Sequence, residues 1–216
     1  MTDAHHESEP HGPGHALERL IFFSDAVFAI AITLLVIELR FPEVHQPASD
    51  ADYLRALARM VPNFVGFLVS FFVIGAFWMG HHRAFDCARH WSPKLFMPNL
   101  MLLCAIAAMP FFTALSSEHW AQRVPIMLYC GWLLVIALLN MRLQRIVTSP
   151  PVASARIAPA LRRMIRHRGL SVALGAATAL AVSYFYPWLG QIMLLSIPLW
   201  RRLLGALPDP RAQPSG

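Results

Sequence analysis

Arg19, Phe23, Ser24 and Asp25 stand at the mouth of a run that is otherwise apolar, and from Ala26 to Ile37 the only hydroxyl is Thr33. A guanidinium and a carboxylate at membrane depth are costly and face protein or water rather than lipid. The second apolar run closes on Trp78, His81 and His82, and imidazole is the side chain whose charge changes near neutral pH. These residue types support two kinds of chemistry. Asp25, paired with Arg19, His81 or His82 and helped by the Ser24 hydroxyl, could form a polar network that fixes the first helix against the second. The same groups could instead relay protons. A metal centre is the third chemistry to weigh, because His82, Asp86 and His90 fall at i, i+4 and i+8. Such a site needs ligands from other elements, and the later apolar runs offer none, so no metal is expected.

The elements that must position these groups are membrane spans. The chain of 216 residues is 56% hydrophobic and 14% charged, where a soluble domain carries roughly a quarter charged residues. Six apolar runs have the ~20 residues a bilayer core demands: Leu17–Leu39, Val61–Gly80, Leu95–Leu115, Pro125–Met141, Gly169–Tyr186 and Trp188–Leu207. The fourth is the shortest, and the last two are separated only by the region of Pro187, which requires a tight antiparallel hairpin. Between the first two, Leu54, Leu57 and Met60 recur at helical spacing after Ser49 and Asp50, a start signal for a short helix. The fold expected is all-α and polytopic. Residues 1–16, with four histidines, read as a disordered tail, 17–207 as the membrane domain and 208–216 as a second tail.

The net charge of +6 is not a nucleic-acid footprint, because the basic residues lie between spans. With the N-terminus inside, the cytoplasmic segments hold Arg19, Arg83, Arg89, Lys94, Arg142, Arg145, Arg156, Arg162, Arg163, Arg166, Arg168, Arg201, Arg202 and Arg211, fourteen residues, and the outer segments hold four, Arg40, Arg55, Arg59 and Arg123. That asymmetry places both termini in the cytoplasm. Cys87, Cys104 and Cys130 are odd in number and imply no disulfide framework. No phosphate loop, nucleophile elbow or nucleotide fingerprint occurs, and an enzyme is not expected.

The pattern R-x-x-x-F-S-D formed by Arg19, Phe23, Ser24 and Asp25 resembles the opening of the endosomal/lysosomal transmembrane potassium channel family and its prokaryotic relatives. Phe77-Trp78 followed by His81, Asn99-Leu100 and Pro110-Phe111 through Thr113 are similar to further family features, in the same order. The resemblance extends over about Leu17 to Leu115. It implies a channel that conducts potassium passively, without a T-V-G-Y-G filter, through a pore lined by the first helix. Animal forms carry two six-span repeats, and this chain shows one R-x-x-x-F-S-D, so the resemblance implies a homotetramer around that helix.

Ile30, Thr33, Leu34 and Ile37 fall at i, i+3, i+4 and i+7, on one helical face. By position after F-S-D, Ile30 matches the family's hydrophobic constriction, and Thr33 and Leu34 its next layers. The expectation is a potassium-selective channel in a prokaryotic plasma membrane, with potassium ions, lipid and further copies of itself as partners, and with no cofactor. The alternative is a proton-conducting or proton-coupled transporter using Asp25 with His81 or His82.

Overall fold

The computed structural model describes residues 13–44, 49–153 and 158–206. The expected tails therefore lie outside the described residues, except that residues 13–16 already belong to the first helix. All elements among the described residues are helical: α1 (Pro13–Leu34), α2 (Asp50–Arg59), α3 (Val61–Phe85), α4 (Phe96–Ala107), α5 (Met109–Glu118), α6 (Arg123–Val147), α7 (Pro159–Phe185) and α8 (Ile197–Ala206), with short 3₁₀ turns between some of them. Among the described residues five segments are long and apolar enough to cross a bilayer: His15–Glu38, Val61–Phe85, Pro93–Glu118, Arg123–Val147 and Pro159–Phe185.

The sequence sets these boundaries by identifiable means. α3, α5 and α7 each start with proline in the first turn, where a missing N–H costs nothing. Inside the third span, Pro110 has no N–H to continue the ladder, and the span splits at Ala108 into α4 and α5. The Trp132 indole N–H donates to the Ala105 carbonyl at 2.9 Å beside this break. α2 forms where its start signal predicted: the Asp52 carboxylate accepts from the Ser49 backbone N–H at 2.9 Å and from the Ser49 hydroxyl at 2.7 Å. These bonds hold the exposed Asp52 carboxyl below the usual carboxylate range.

Several spans run longer than their apolar cores. α3 continues five residues past Gly80, α6 runs on from Met141 to Val147, and α7 begins at Pro159 rather than Gly169. The added turns hold Arg142, Arg145, Arg162, Arg163, Arg166 and Arg168. Helical hydrogen bonding does not stop at the lipid boundary, so hydropathy finds only the part of a helix that lies in hydrocarbon.

The sixth apolar run differs most from expectation. It is not one helix but two 3₁₀ turns, Pro187–Leu189 and Ile192–Ser196, followed by α8. Pro187, Gly190 and Pro198 each oppose a continuous helix. The segment nonetheless retraces α7 in antiparallel fashion: Gly190 lies against Ser183, Gly175 against Ile197, and the Trp200 indole donates to the Thr178 hydroxyl at 3.2 Å. It thus returns to the basic end of the bundle, at Arg201.

α6 is the central helix, with Ile126, Tyr129, Cys130, Leu133, Ile136, Ala137 and Leu143 all buried, and it packs on α3, α4, α5 and α7. α7 meets it through small residues, Gly169, Ala173, Ala176, Ala179 and Ser183, which allow the close backbone approach that drives association in lipid. α1 leans on α3 and α4.

Candidate functional site

α1 has two faces. Leu17, Leu20, Ser24, Phe28, Ala31 and Leu35 recur every three or four residues and are buried in the subunit. The opposite face carries Phe22, Phe23, Ile30, Leu34 and Ile37, of which Ile30 is 57% and Ile37 59% exposed. Thr33 lies on it too, its hydroxyl donating to the Ile30 carbonyl at 2.9 Å. The hydroxyl hydrogen is thereby fixed inward, and the oxygen lone pairs are left to face away from the helix. After Leu34 the backbone tightens to a 3₁₀ turn over Leu35–Glu38. At 120° per residue Ile37 stands directly over Leu34, and the rises of the two helix types place Ile30, Leu34 and Ile37 at even steps of about 6 Å.

The buried face holds the polar network. The Ser24 hydroxyl donates to the Leu20 carbonyl at 2.8 Å and accepts from the Asn99 amide N–H at 2.9 Å. With the Asn99 nitrogen committed to Ser24, its Oδ1 is a pure acceptor, so His81 Nε2, 2.8 Å away, must carry the proton and donate to it. Ser24, His81 and Asn99 are all buried. The His81 ring is held between Phe85, stacked at 4.5 Å, and Phe28 at 5.4 Å. This chain ties α1, α3 and α4 together within one plane of the bundle. Nearer the other end, Thr113 donates to Ser70, whose hydroxyl meets the Tyr129 hydroxyl at 3.1 Å, a second buried tie among α5, α3 and α6.

Asp25 has a different partner from those expected. Its carboxylate accepts from the Trp78 indole N–H at 2.8 Å, and Trp78 stacks on His82 at 5.8 Å. Arg19 cannot reach Asp25: six residues on a helix turn 240° and climb about 9 Å, and among the described residues Arg19 forms no ion pair. His81 faces α4 instead, and His82 is exposed. The site therefore divides. Ser24 and His81 join a buried network, Asp25, Trp78 and His82 form a half-exposed one, and Arg19 and Phe23 lie exposed outside both. Asn99 completes the buried network; its sequence signal was a lone amide in the third apolar run.

The metal-like spacing dissolves because α3 ends at Phe85, which takes Asp86 and His90 off the helix face. No group of three or more His, Cys, Asp or Glu placed to hold a metal ion occurs among the described residues.

The sequence model of one family, the endosomal/lysosomal potassium channel TMEM175, matches residues 19–110, the stretch holding both networks and the exposed face of α1. A crystal structure described as that of a lysosomal potassium-selective channel TMEM175 homolog from Chamaesiphon minutus superposes with a TM-score of 0.75 at 28% identity, covering 89% of this chain and all of that one. Over residues 19–110 the chain is similar to the TMEM175 family. A potassium channel of Chamaesiphon minutus is 38% identical over 58% of this chain and 63% of its own length, so the match spans under two thirds of that relative. A potassium channel of a Chryseobacterium species is 28% identical over 91% of this chain and 96% of its own. The TMEM175 family is one of ion channels rather than enzymes, and the chain is a multi-span membrane protein.

Proposed function

We propose that this chain is a potassium-selective channel of a prokaryotic plasma membrane. Four copies would surround a pore lined by the exposed face of α1, with both termini cytoplasmic. The observation that carries the reading is the division of α1: an anchored polar-apolar face, and an opposite row of Ile30, Thr33, Leu34 and Ile37 that the described residues leave exposed. The descriptions of the relatives as potassium channels support it.

Simple geometry says what such a row would do. Four helices about 10 Å apart put each axis about 7 Å from the centre and each facing Cα about 5 Å from it. A ring of isoleucine side chains then closes most of the opening. Ile30, Leu34 and Ile37 would form three apolar constrictions, which gate by dewetting, and Thr33 oxygens would offer acceptors to an ion between the first two. Potassium would be favoured because it gives up part of its water more readily than sodium does. The Ser24–Asn99–His81 chain would set the depth and rotation of α1, and so the radius of the rings.

The proton reading needs Asp25 linked to His81 or His82 by hydrogen bonds. Asp25 is bonded to an indole N–H, which does not relay protons, and the geometry does not favour that reading. The test is flux from liposomes with a potassium gradient, run in potassium and in sodium, for wild type, Ile30→Asn and Asp25→Asn. Selective potassium flux that loses selectivity with Ile30→Asn supports the channel. Flux only when protons move, abolished by Asp25→Asn in folded protein, overturns it.

A further inference from the structure

An open furrow runs between α3 and the broken sixth segment, and the channel reading gives it no role. Its outer half, a cavity of about 670 Å³, is lined by residues such as Val65, Leu68, Trp188 and Leu195; its inner half, about 550 Å³, by Phe71, Val172 and others; Phe72, Val73 and Ile197 belong to both. The walls are apolar until the basic end of the bundle. There Arg83 from α3, Arg168 from α7 and Arg201 from α8 all reach the same furrow, and Arg168 lies within electrostatic range of the other two. Among the described residues no carboxylate pairs with any of them. The Arg168 Nε is buried without a hydrogen-bond partner, as are Asn140 Oδ1 and Gln144 Oε1 on the floor of the same furrow.

Three guanidiniums from three helices, unpaired with any carboxylate among the described residues and one of them with a buried unsatisfied donor, offer an anion a site. We propose that this furrow binds one anionic phospholipid of the inner leaflet, its phosphate held by Arg83, Arg168 and Arg201 and an acyl chain lying between α3 and the sixth segment. The dimensions agree. From Arg83 back to Phe72 is eleven residues of α3, about 16 Å of helix, against about 15 Å for half a hydrocarbon core. Arginine also suits a phosphate better than lysine, because its planar fork donates two parallel hydrogen bonds. A second copy of the chain is a poor occupant, because the segments at this end are overwhelmingly basic.

The experiment is native mass spectrometry and thermal unfolding of the purified full chain, titrated with phosphatidylglycerol, phosphatidylcholine or glycerol 1-phosphate. Wild type is expected to retain phosphatidylglycerol at least tenfold more tightly than phosphatidylcholine and to gain thermal stability from it. Arg83→Gln and Arg201→Gln, both at exposed side chains, should each weaken retention about fivefold, and Arg168→Gln at least as much. Equal retention of the two lipids overturns the proposal, as does unchanged retention in the Arg83→Gln and Arg201→Gln proteins. Glycerol 1-phosphate binding as tightly as the lipid would show a free-phosphate site and also overturn it. So would efficient disulfide cross-linking of two chains through Phe72→Cys with no lipid bound, because a second copy would then fill the furrow.

Discussion

Replacing Asn99 with leucine tests the buried network most sharply. Leucine has the same branching as asparagine, so the change removes hydrogen bonds and leaves little cavity. Ser24 keeps its bond to the Leu20 carbonyl and loses only an incoming donor. His81 loses the acceptor for its Nε2 proton, 2.8 Å away, in a site without water access. An orphaned buried donor costs about 1–3 kcal/mol, and that is the expected loss for Asn99→Leu. His81→Phe should cost about 1–2 kcal/mol on the same basis, because the stacking between Phe28 and Phe85 survives while Asn99 Oδ1 is left bare. In the double variant neither orphan exists, so the combined loss should be smaller than the sum. Coupling energies between membrane helices average about 0.6 kcal/mol and reach about 1.7, and a fully buried pair belongs near the top of that range. The assay is reversible unfolding by sodium dodecyl sulfate in mixed micelles for wild type, both single variants and the double variant. Additive losses, with coupling below about 0.3 kcal/mol, would refute the bonded network.

Three further outcomes follow from the geometry. Thr33→Val keeps the shape of the side chain and removes the outward lone pairs; single-channel conductance is expected to fall several-fold with potassium preference retained, and unchanged conductance would remove Thr33 from the ion path. Gly66→Ala drives a Cβ into Ser117 Oγ across the α3–α5 contact; a loss of about 1–3 kcal/mol is expected, largely restored by Ser117→Gly on the same unfolding assay. The Asp52 carboxyl sits below its ordinary range in the folded chain, so its support of α2 is complete above the unfolded pKa of about 3.9 and is lost as pH falls through the lower folded value. Amide exchange in residues 50–55 should show the same protection over Asp52→Ala from pH 8 to pH 5, and that margin should vanish only in stronger acid.

Much of the architecture was legible because lipid imposes length and composition. Five spans, the α2 start at Ser49 and the α1 face from Ile30 to Ile37 follow from hydropathy, capping and helical period. The split at Ala108 and the broken return after Phe185 follow from Pro110, Pro187, Gly190 and Pro198, which a hydropathy average smooths over. The site was half legible. Helical geometry alone excludes Arg19 as partner of Asp25. The bond from Trp78 to Asp25 was not visible, because charge pairing directs attention to arginine and histidine and away from an indole N–H. Asn99 and Ser24 are 75 residues apart, and only the packing of α1 on α4 brings them together.

On the proposed reading the exposed face of α1 lines the ion path in a symmetric assembly. Cadmium block of potassium flux tests it directly, because cysteines from several copies meeting at one axis bind the ion far more tightly than one cysteine in lipid. Potassium flux from liposomes would be followed with and without cadmium for wild type, Leu34→Cys, Ile37→Cys and, on the outward face of α3, Phe72→Cys. Block at micromolar cadmium is expected for Leu34→Cys and Ile37→Cys, with wild type and Phe72→Cys unaffected. Robust flux through both α1 variants that cadmium leaves untouched would contradict it.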